Sequence, residues 1–246
     1  MLDWLKKAIG PGAPTATAFS AHEAGDWARA IALLAPLAQA RPDDAQVHYR
    51  LGDALYQLER AQEALAPLER AVQLAGNVAT HHYKLGNALM DLERLDESLA
   101  CYRRALALEP RHAQSLANTG AVLEMQGKTE EALDHYRRAI SANGALRPAR
   151  LNLATLLHRT ERFAEAVAAY QGLLELDPGS APDWDNLGNA YQGLERYQDA
   201  ARCYERALAI DPATPGAHYR LGIALLGLGK YAESEAAARR AVEITP

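Results

Sequence analysis

The chain has 246 residues, of which 49% are hydrophobic and 23% charged, and its formal net charge is −5. This composition excludes a disordered tail, and the excess of acidic over basic residues argues against nucleic acid as a partner. No apolar run is long enough to span a bilayer, and the first ten residues lack the pattern of a signal peptide. We therefore expect a cytoplasmic chain with no membrane span.

Residues 1–12 form a separate N-terminal segment. Leu2, Leu5 and Ile9 lie on one side of a short predicted amphipathic helix, which a Gly-Pro-Gly-Ala-Pro linker then ends. Four roles are open for this segment. It caps the region that follows, stays free in solution, docks onto another copy of the chain, or touches a membrane surface.

A period of 34 residues runs through the rest of the chain. The string His-Tyr-Arg-Leu-Gly at residue 48 returns as His-Tyr-Lys-Leu-Gly at residue 82, and the frame continues without insertion or deletion. A fixed period of this length indicates stacked repeat units. The predicted repeats are residues 11–44, 45–78, 79–112, 113–146, 147–180, 181–214 and 215–246.

Each repeat has the pattern of two helices joined by a turn. A glycine recurs at position eight, where a helical glycine costs about 1 kcal/mol relative to alanine, and a small residue follows twelve positions later. We therefore predict that the second helix approaches this glycine closely and ends at a proline or glycine at position 32. These residues are Gly52, Gly86, Gly120, Gly188 and Gly222, then Ala64, Ser98, Ala132, Ala166, Ala200 and Ser234, and finally Pro42, Gly76, Pro110, Gly144, Pro178 and Pro212.

The Leu-Gly pair, the small residue, an aromatic residue at position 24 and the closing proline resemble the tetratricopeptide repeat (TPR) family over residues 13–246. The resemblance implies an all-α fold, a right-handed α-solenoid (superhelix) of about seven 34-residue helix-turn-helix repeats. It also implies a groove lined by the first helix of each repeat. The function it implies is a non-catalytic scaffold that binds a protein or peptide partner.

In this family, positions two, five, six, nine, twelve and thirteen of each repeat face the groove. Asn118, Asn152 and Asn186 occupy position six of consecutive repeats, and Asn87 and Asn189 occupy position nine. Since a side-chain amide both donates and accepts hydrogen bonds, the row predicts binding of an extended peptide main chain. The alternative is a row of solvated amides without a role.

The row of asparagines is similar to the TPR arm of O-linked N-acetylglucosamine transferases. This resemblance implies a second possibility, in which the chain is the substrate-recruiting arm of a larger glycosyltransferase-like enzyme.

Three tyrosine–cation pairs lie towards the two ends of the predicted groove. Each tyrosine offers apolar area with a polar tip, and the neighbouring cation suits a carboxylate on the partner. The alternative explanation is that these three repeats share the sequence His-Tyr-(Arg/Lys)-Leu-Gly through recent duplication. The pairs are Tyr49–Arg50, Tyr83–Lys84 and Tyr219–Arg220.

We expect no catalytic, metal or cofactor site. The sequence contains no phosphate-binding loop or nucleophile elbow, and no two histidines have the three- or four-residue spacing of metal ligands on one helix. His48, His82 and His218 are predicted to pack in the core. Cys101 and Cys203, three repeats apart, are predicted to be small buried residues without a disulfide.

Self-assembly is a third functional possibility. The last predicted repeat, residues 215–246, has no polar helix after it. Because solenoids need a polar cap over their terminal apolar face, we expect a homo-oligomer formed through this repeat or through the N-terminal segment if that face is covered by another copy.

Overall fold

The computed structural model describes residues 13–214 and 216–244. These residues form fourteen helices and no strand, so the predicted all-α helix-turn-helix architecture is confirmed. Segment 1–12, with its four open roles, lies outside the described residues. The helices are α1 (Ala13–Glu23), α2 (Trp27–Ala40), α3 (Ala45–Gln57), α4 (Ala61–Leu74), α5 (Ala79–Asp91), α6 (Leu95–Leu108), α7 (Ala113–Met125), α8 (Thr129–Ala142), α9 (Arg147–Arg159), α10 (Phe163–Leu176), α11 (Ala181–Gly193), α12 (Tyr197–Ile210), α13 (Ala217–Gly227) and α14 (Tyr231–Ile244).

The chain divides into two compact units that meet in sequence between Gln126 and Gly127. The first unit contains α1 to α7 and the second contains α8 to α14. Within each unit, every helix packs on the next one along the chain. The odd-numbered helices, which are the first helices of the repeats, also contact one another: α1 with α3, α3 with α5 and α5 with α7 in the first unit, and α11 with α13 in the second.

We call the side of the first helices that carries positions two, five, six, nine, twelve and thirteen the first-helix face. Each unit has its own such face, and the candidate site residues lie on it.

Proline and glycine end the second helices as predicted. Helices α2, α4, α6, α8, α10 and α12 each end two residues before the breaker at position 32. The turn inside each repeat follows a rule that the sequence did not reveal. The residue at position 15 has a left-handed backbone in all seven repeats, although four of them carry glutamate there. The residues are Gly25, Glu59, Glu93, Gly127, Glu161, Glu195 and Gly229.

The predicted close approach at the position-eight glycine is confirmed at Gly52, Gly86 and Gly188. A Cβ added to Gly86 would lie 2.6 Å from Cε1 of Tyr102, and one added to Gly52 would lie 2.5 Å from Cγ of Leu68. The residue that fills the space is therefore the one sixteen positions later. The small residue at position twenty lies beside it, and Ser98 Oγ donates a hydrogen bond of 2.8 Å to the Gly86 carbonyl.

The fourth position of the repeats has a role that sequence reasoning missed. In four repeats a side-chain nitrogen at this position lies within hydrogen-bonding distance of the carbonyl six residues earlier, and thereby fastens the loop between repeats. The pairs are His48–Pro42 at 3.2 Å, His82–Gly76 at 3.0 Å, Arg150–Gly144 at 2.6 Å and Trp184–Pro178 at 3.0 Å.

This role corrects the prediction that three histidines fill the core. Only His82 is buried, whereas His48 and His218 are half-buried. At this position the imidazoles of His48 and His82 lie against a loop carbonyl at the end of the preceding repeat instead of filling the core.

Candidate functional site

Two side-chain amides on the first-helix face of the second unit have no hydrogen-bond partner among the residues that the structure describes. Asn152 on α9 and Asn186 on α11 are both half-buried, and neither makes a hydrogen bond to another described residue. An ion pair of 2.5 Å between Arg147 and the buried Asp183 links the first turns of α9 and α11. The two amides occupy the same position of these consecutive first helices, with donor and acceptor not used by another described residue.

Asn118, the third asparagine of the predicted row, is placed differently. Its Nδ2 donates to Oδ1 of the buried Asn87 at 2.9 Å and lies 3.4 Å from the Tyr102 hydroxyl. The Tyr102 hydroxyl donates to the same Asn87 oxygen at 2.8 Å. In the first unit, the amides of Asn118 and Asn87 thus form an intrachain network across two repeats.

A spacing rule explains this difference. In the first unit, the residue at position six binds the acceptor at position nine of the preceding repeat, 31 residues earlier: Lys84 contacts Asp53 at 2.6 Å, and Asn118 contacts Asn87 at 2.9 Å. In the second unit, the residue 31 positions before Asn186 is Thr155, whose exposed side chain bonds Tyr170 and makes no hydrogen bond to Asn186.

Asn189 and Arg220, also predicted as ligand-binding residues, have partners inside the second unit. Asn189 Oδ1 accepts a hydrogen bond of 2.9 Å from the Tyr204 hydroxyl, and Asn189 also bonds Asp185. Arg220 holds Asp185 by two hydrogen bonds of 3.1 and 2.7 Å. Burial nevertheless raises the pKa of Asp185, because the loss of hydration outweighs the contact with Arg220.

The cations of the first unit are also paired within the chain. Asp53 is 5% exposed. Its carboxylate oxygens lie 2.9 Å from His22 Nε2 and 2.6 Å from Lys84 Nζ. Burial alone would raise the pKa of Asp53, but these hydrogen bonds lower it to about 2. Arg50 pairs with Glu23 at 3.0 Å and lies 4.2 Å from the ring centre of Phe19.

The three predicted tyrosines differ in exposure. Tyr49 is half-buried and stacks on His81 with ring centres 4.7 Å apart, and burial raises the pKa of Tyr49 to about 12. Tyr83 is half-buried between the rings of Tyr102 and His112, at 6.2 and 5.1 Å. Tyr219 is 61% exposed. Among the three, Tyr219 offers a ligand the largest free ring surface.

The site chemistry is that of hydrogen bonding and apolar contact. Within residues 13–214 and 216–244, no group of three or more histidine, cysteine or carboxylate side chains has an arrangement that could hold a metal ion. Cys101 is half-buried and Cys203 is buried, both as free thiols, and burial raises their pKa to about 11 and about 12. None of the described helices is both long and apolar enough to traverse a bilayer.

The fold and this face define an all-helical repeat protein that carries side-chain amides on its first helices. The chain belongs to the tetratricopeptide repeat family, whose description matches residues 17–79, 83–148 and 186–246, while a second description of the same repeat matches residues 146–213. No curated protein matches the chain.

Several solved structures share the fold at low sequence identity. YrrB, described as a TPR protein with an unusual peptide-binding site, is 24% identical, with a TM-score of 0.63 over 76% of this chain and 96% of YrrB. The C-terminal part of a TPR protein from Cytophaga hutchinsonii is 15% identical, with a TM-score of 0.78 over 94% of this chain and 95% of that one. PilF of Pseudomonas aeruginosa is 18% identical, with a TM-score of 0.67 over 84% and 94% of the two chains.

Proposed function

We propose that this chain is a non-catalytic protein-interaction module that holds an extended peptide main chain on the first-helix face of its second unit. The observation that carries the proposal is the pair Asn152 and Asn186, two half-buried amides at equivalent positions that make no hydrogen bond to any described residue. Each amide can accept from a main-chain N–H and donate to a main-chain carbonyl. YrrB, a member of the same fold, is described as having a peptide-binding site, which supports this class of ligand.

The two amides would give such a peptide orientation and part of its affinity. A net hydrogen bond contributes about 0.5 to 1.5 kcal/mol, whereas micromolar binding needs about 8 kcal/mol. The four bonds available to two amides therefore leave part of the affinity to other contacts on the same face.

The test uses peptides selected from a phage-displayed library of random twelve-residue sequences against the full chain. Binding of a selected, fluorescein-labelled peptide is then measured by fluorescence anisotropy. We expect the double variant N152A/N186A to bind about tenfold or more weakly, because it loses main-chain hydrogen bonds. The control Q198A removes an exposed amide on α12 and should bind like the wild type. Unchanged affinity of N152A/N186A, with an unchanged circular dichroism spectrum, would refute the proposal.

The row of asparagines also supports the second candidate, a substrate-recruiting arm of a glycosyltransferase-like enzyme. A recruited substrate must present its acceptor hydroxyl at a fixed distance from the amides that hold its main chain. The complete gene separates the two candidates, because a recruiting arm of this kind adjoins a glycosyltransferase domain in the same polypeptide. A gene that encodes no such domain would leave only the simple binding module.

Self-association is the third candidate, supported by the apolar surface of α14, where Tyr231 is 71% and Val242 is 69% exposed. Light scattering over a range of protein concentrations tests it. A mass that rises with concentration and stays monomeric in the variant Y231S/V242S supports self-association, and a monomer at every concentration excludes it.

A further inference from the structure

A stripe of apolar side chains lies on the first-helix face of α13. Its members are Tyr219, Ile223 and Leu226, which are spaced four and three residues apart and therefore share one side of the helix. Tyr219 is 61% and Leu226 is 55% exposed, and Ile223 is half-buried. We call these three residues the α13 stripe.

Within the second unit, only α13 carries apolar residues at all three of positions five, nine and twelve. The residues 34 positions earlier, on α11, are the polar Asp185, Asn189 and Gln192. Helix α11 packs on both neighbouring second helices with these polar side chains in place, so the repeat fold does not require apolar residues here. Exposed apolar surface that the fold does not require is typical of a binding surface.

The charges beside the α13 stripe are neutralised within the chain. Arg220, next to Tyr219 in sequence, is engaged by both carboxylate oxygens of Asp185. Asn189 is bonded to Tyr204 and to Asp185. Because Arg220 and Asp185 neutralise each other, this part of the face favours neither sign of charge on a ligand.

The general spacing of packed helices gives the expected register of a peptide on this face. Packed helices lie about 8 to 10 Å apart, and an extended peptide advances about 3.3 Å per residue, so one repeat corresponds to about three peptide residues. A main chain held by Asn152 and Asn186 at residues about three apart would bring a side chain about three residues further along onto the α13 stripe.

Building on the proposed function, we propose that the ligand of the second unit is an uncharged, extended peptide with an aliphatic or aromatic side chain that packs on the α13 stripe. The amides of Asn152 and Asn186 hold its main chain irrespective of sequence, and the stripe selects its side chain. The stripe is thus the specificity determinant of the peptide site.

The experiment measures binding of four blocked, fluorescein-labelled ten-residue peptides by anisotropy. They are glycine-serine peptides in which every third residue is leucine, serine, glutamate or lysine. We expect the leucine peptide to bind at least about tenfold more tightly than the other three, because it buries apolar area on the stripe. The variant Y219S/L226S changes two exposed residues and should lose this preference, while N152A/N186A should weaken all four peptides to a similar degree.

The outcomes separate this inference from the proposed function. Equal binding of the leucine and serine peptides, with both weakened by N152A/N186A, would overturn the role of the stripe and leave the amide site intact. A preference for the glutamate or lysine peptide would also overturn it. No binding of any peptide would count against the site as a whole. A wild-type dimer that Y219S/L226S converts to monomer would show that a second copy occupies the stripe instead.

Discussion

At the scale of single residues, the glycine at position eight illustrates how a neighbouring side chain determines which residue is allowed. Gly86 and Gly188 face Tyr102 and Tyr204, and an added Cβ would lie 2.6 Å from the tyrosine ring in both cases. In the last repeat, the residue sixteen positions after Gly222 is Ala238, and the nearest atom to an added Cβ is the Ser234 carbonyl oxygen at 3.4 Å.

We predict opposite effects of alanine at equivalent positions. The variant G86A should lower the free energy of unfolding by about 1 to 3 kcal/mol, because Tyr102 is 0% exposed and has no space to move into. The variant G222A should be neutral or stabilising by up to about 1 kcal/mol, since it gains helix propensity without a clash. Urea denaturation followed by circular dichroism measures both. Equal destabilisation of the two variants would contradict this account.

The turn residues show what sequence reasoning lacked at this scale. At position 15 of the repeat, Gly25, Gly127 and Gly229 are a conventional sign of a left-handed turn. In the other four repeats a glutamate occupies this position with φ values of 57° to 59°. Glutamate carries no local signal for such a backbone. Only the shared 34-residue register, combined with the glycines of other repeats, could have identified these four strained residues.

At the scale of helices, the sequence predicted which elements form but only part of how their side chains pair. The period, the glycines and the breakers fixed the helix pairs because each depends on local pattern alone. The fate of an amide at position six depends on the residue 31 positions earlier. Asn87 accepts from both Tyr102 and Asn118, whereas Thr155 bonds Tyr170 and makes no hydrogen bond to Asn186.

The same dependence separates the available amides from the structural ones. Asn118 and Asn186 have the same residue type and the same position in their repeats, and they differ in their nearest acceptors. Reading position nine of the preceding repeat together with position six would have predicted this difference from the sequence.

The Asp53 cluster joins α1, α3 and α5 and makes the stability of the first unit sensitive to acid. The pKa of Asp53 is lowered from 3.8 to about 2, so the folded state favours the carboxylate. This contribution is complete above about pH 5 and is lost as the pH falls towards 2, because the unfolded chain binds the proton first. The shift corresponds to about 2 kcal/mol.

We predict that the wild type loses about 2 kcal/mol more than D53N between about pH 5 and pH 2 in urea denaturation curves. The matched control is D134N, which removes an exposed carboxylate that pairs with Arg138 at 3.5 Å. Because exposed pairs contribute little, D134N should follow the pH dependence of the wild type. Parallel curves for the wild type and D53N would exclude the cluster as the cause.

At the scale of the whole molecule, stability in a repeat fold is approximately a sum over repeats and their interfaces with neighbours. In the second unit, α12 packs on both α11 and α13 and has five buried residues: Ala200, Ala201, Cys203, Tyr204 and Ala207. Helix α14 packs on α13 and has one buried residue among those described, Ala237. The interfaces of the two second helices therefore differ greatly in apolar burial.

This difference predicts a gradient of local unfolding along the second unit. Amide hydrogens of α14 should exchange at least about tenfold faster than those of α12, because opening α14 exposes much less apolar surface. Hydrogen exchange followed by mass spectrometry, with peptic fragments that cover single helices, measures this ratio. Helix α10, which has five buried residues and packs on α9 and α11, should be protected like α12. Equal protection of α14 and α12 would mean that the apolar surface of α14 is covered in solution, as self-association requires, and the concentration dependence of the exchange would then distinguish a second copy from a contact within the chain.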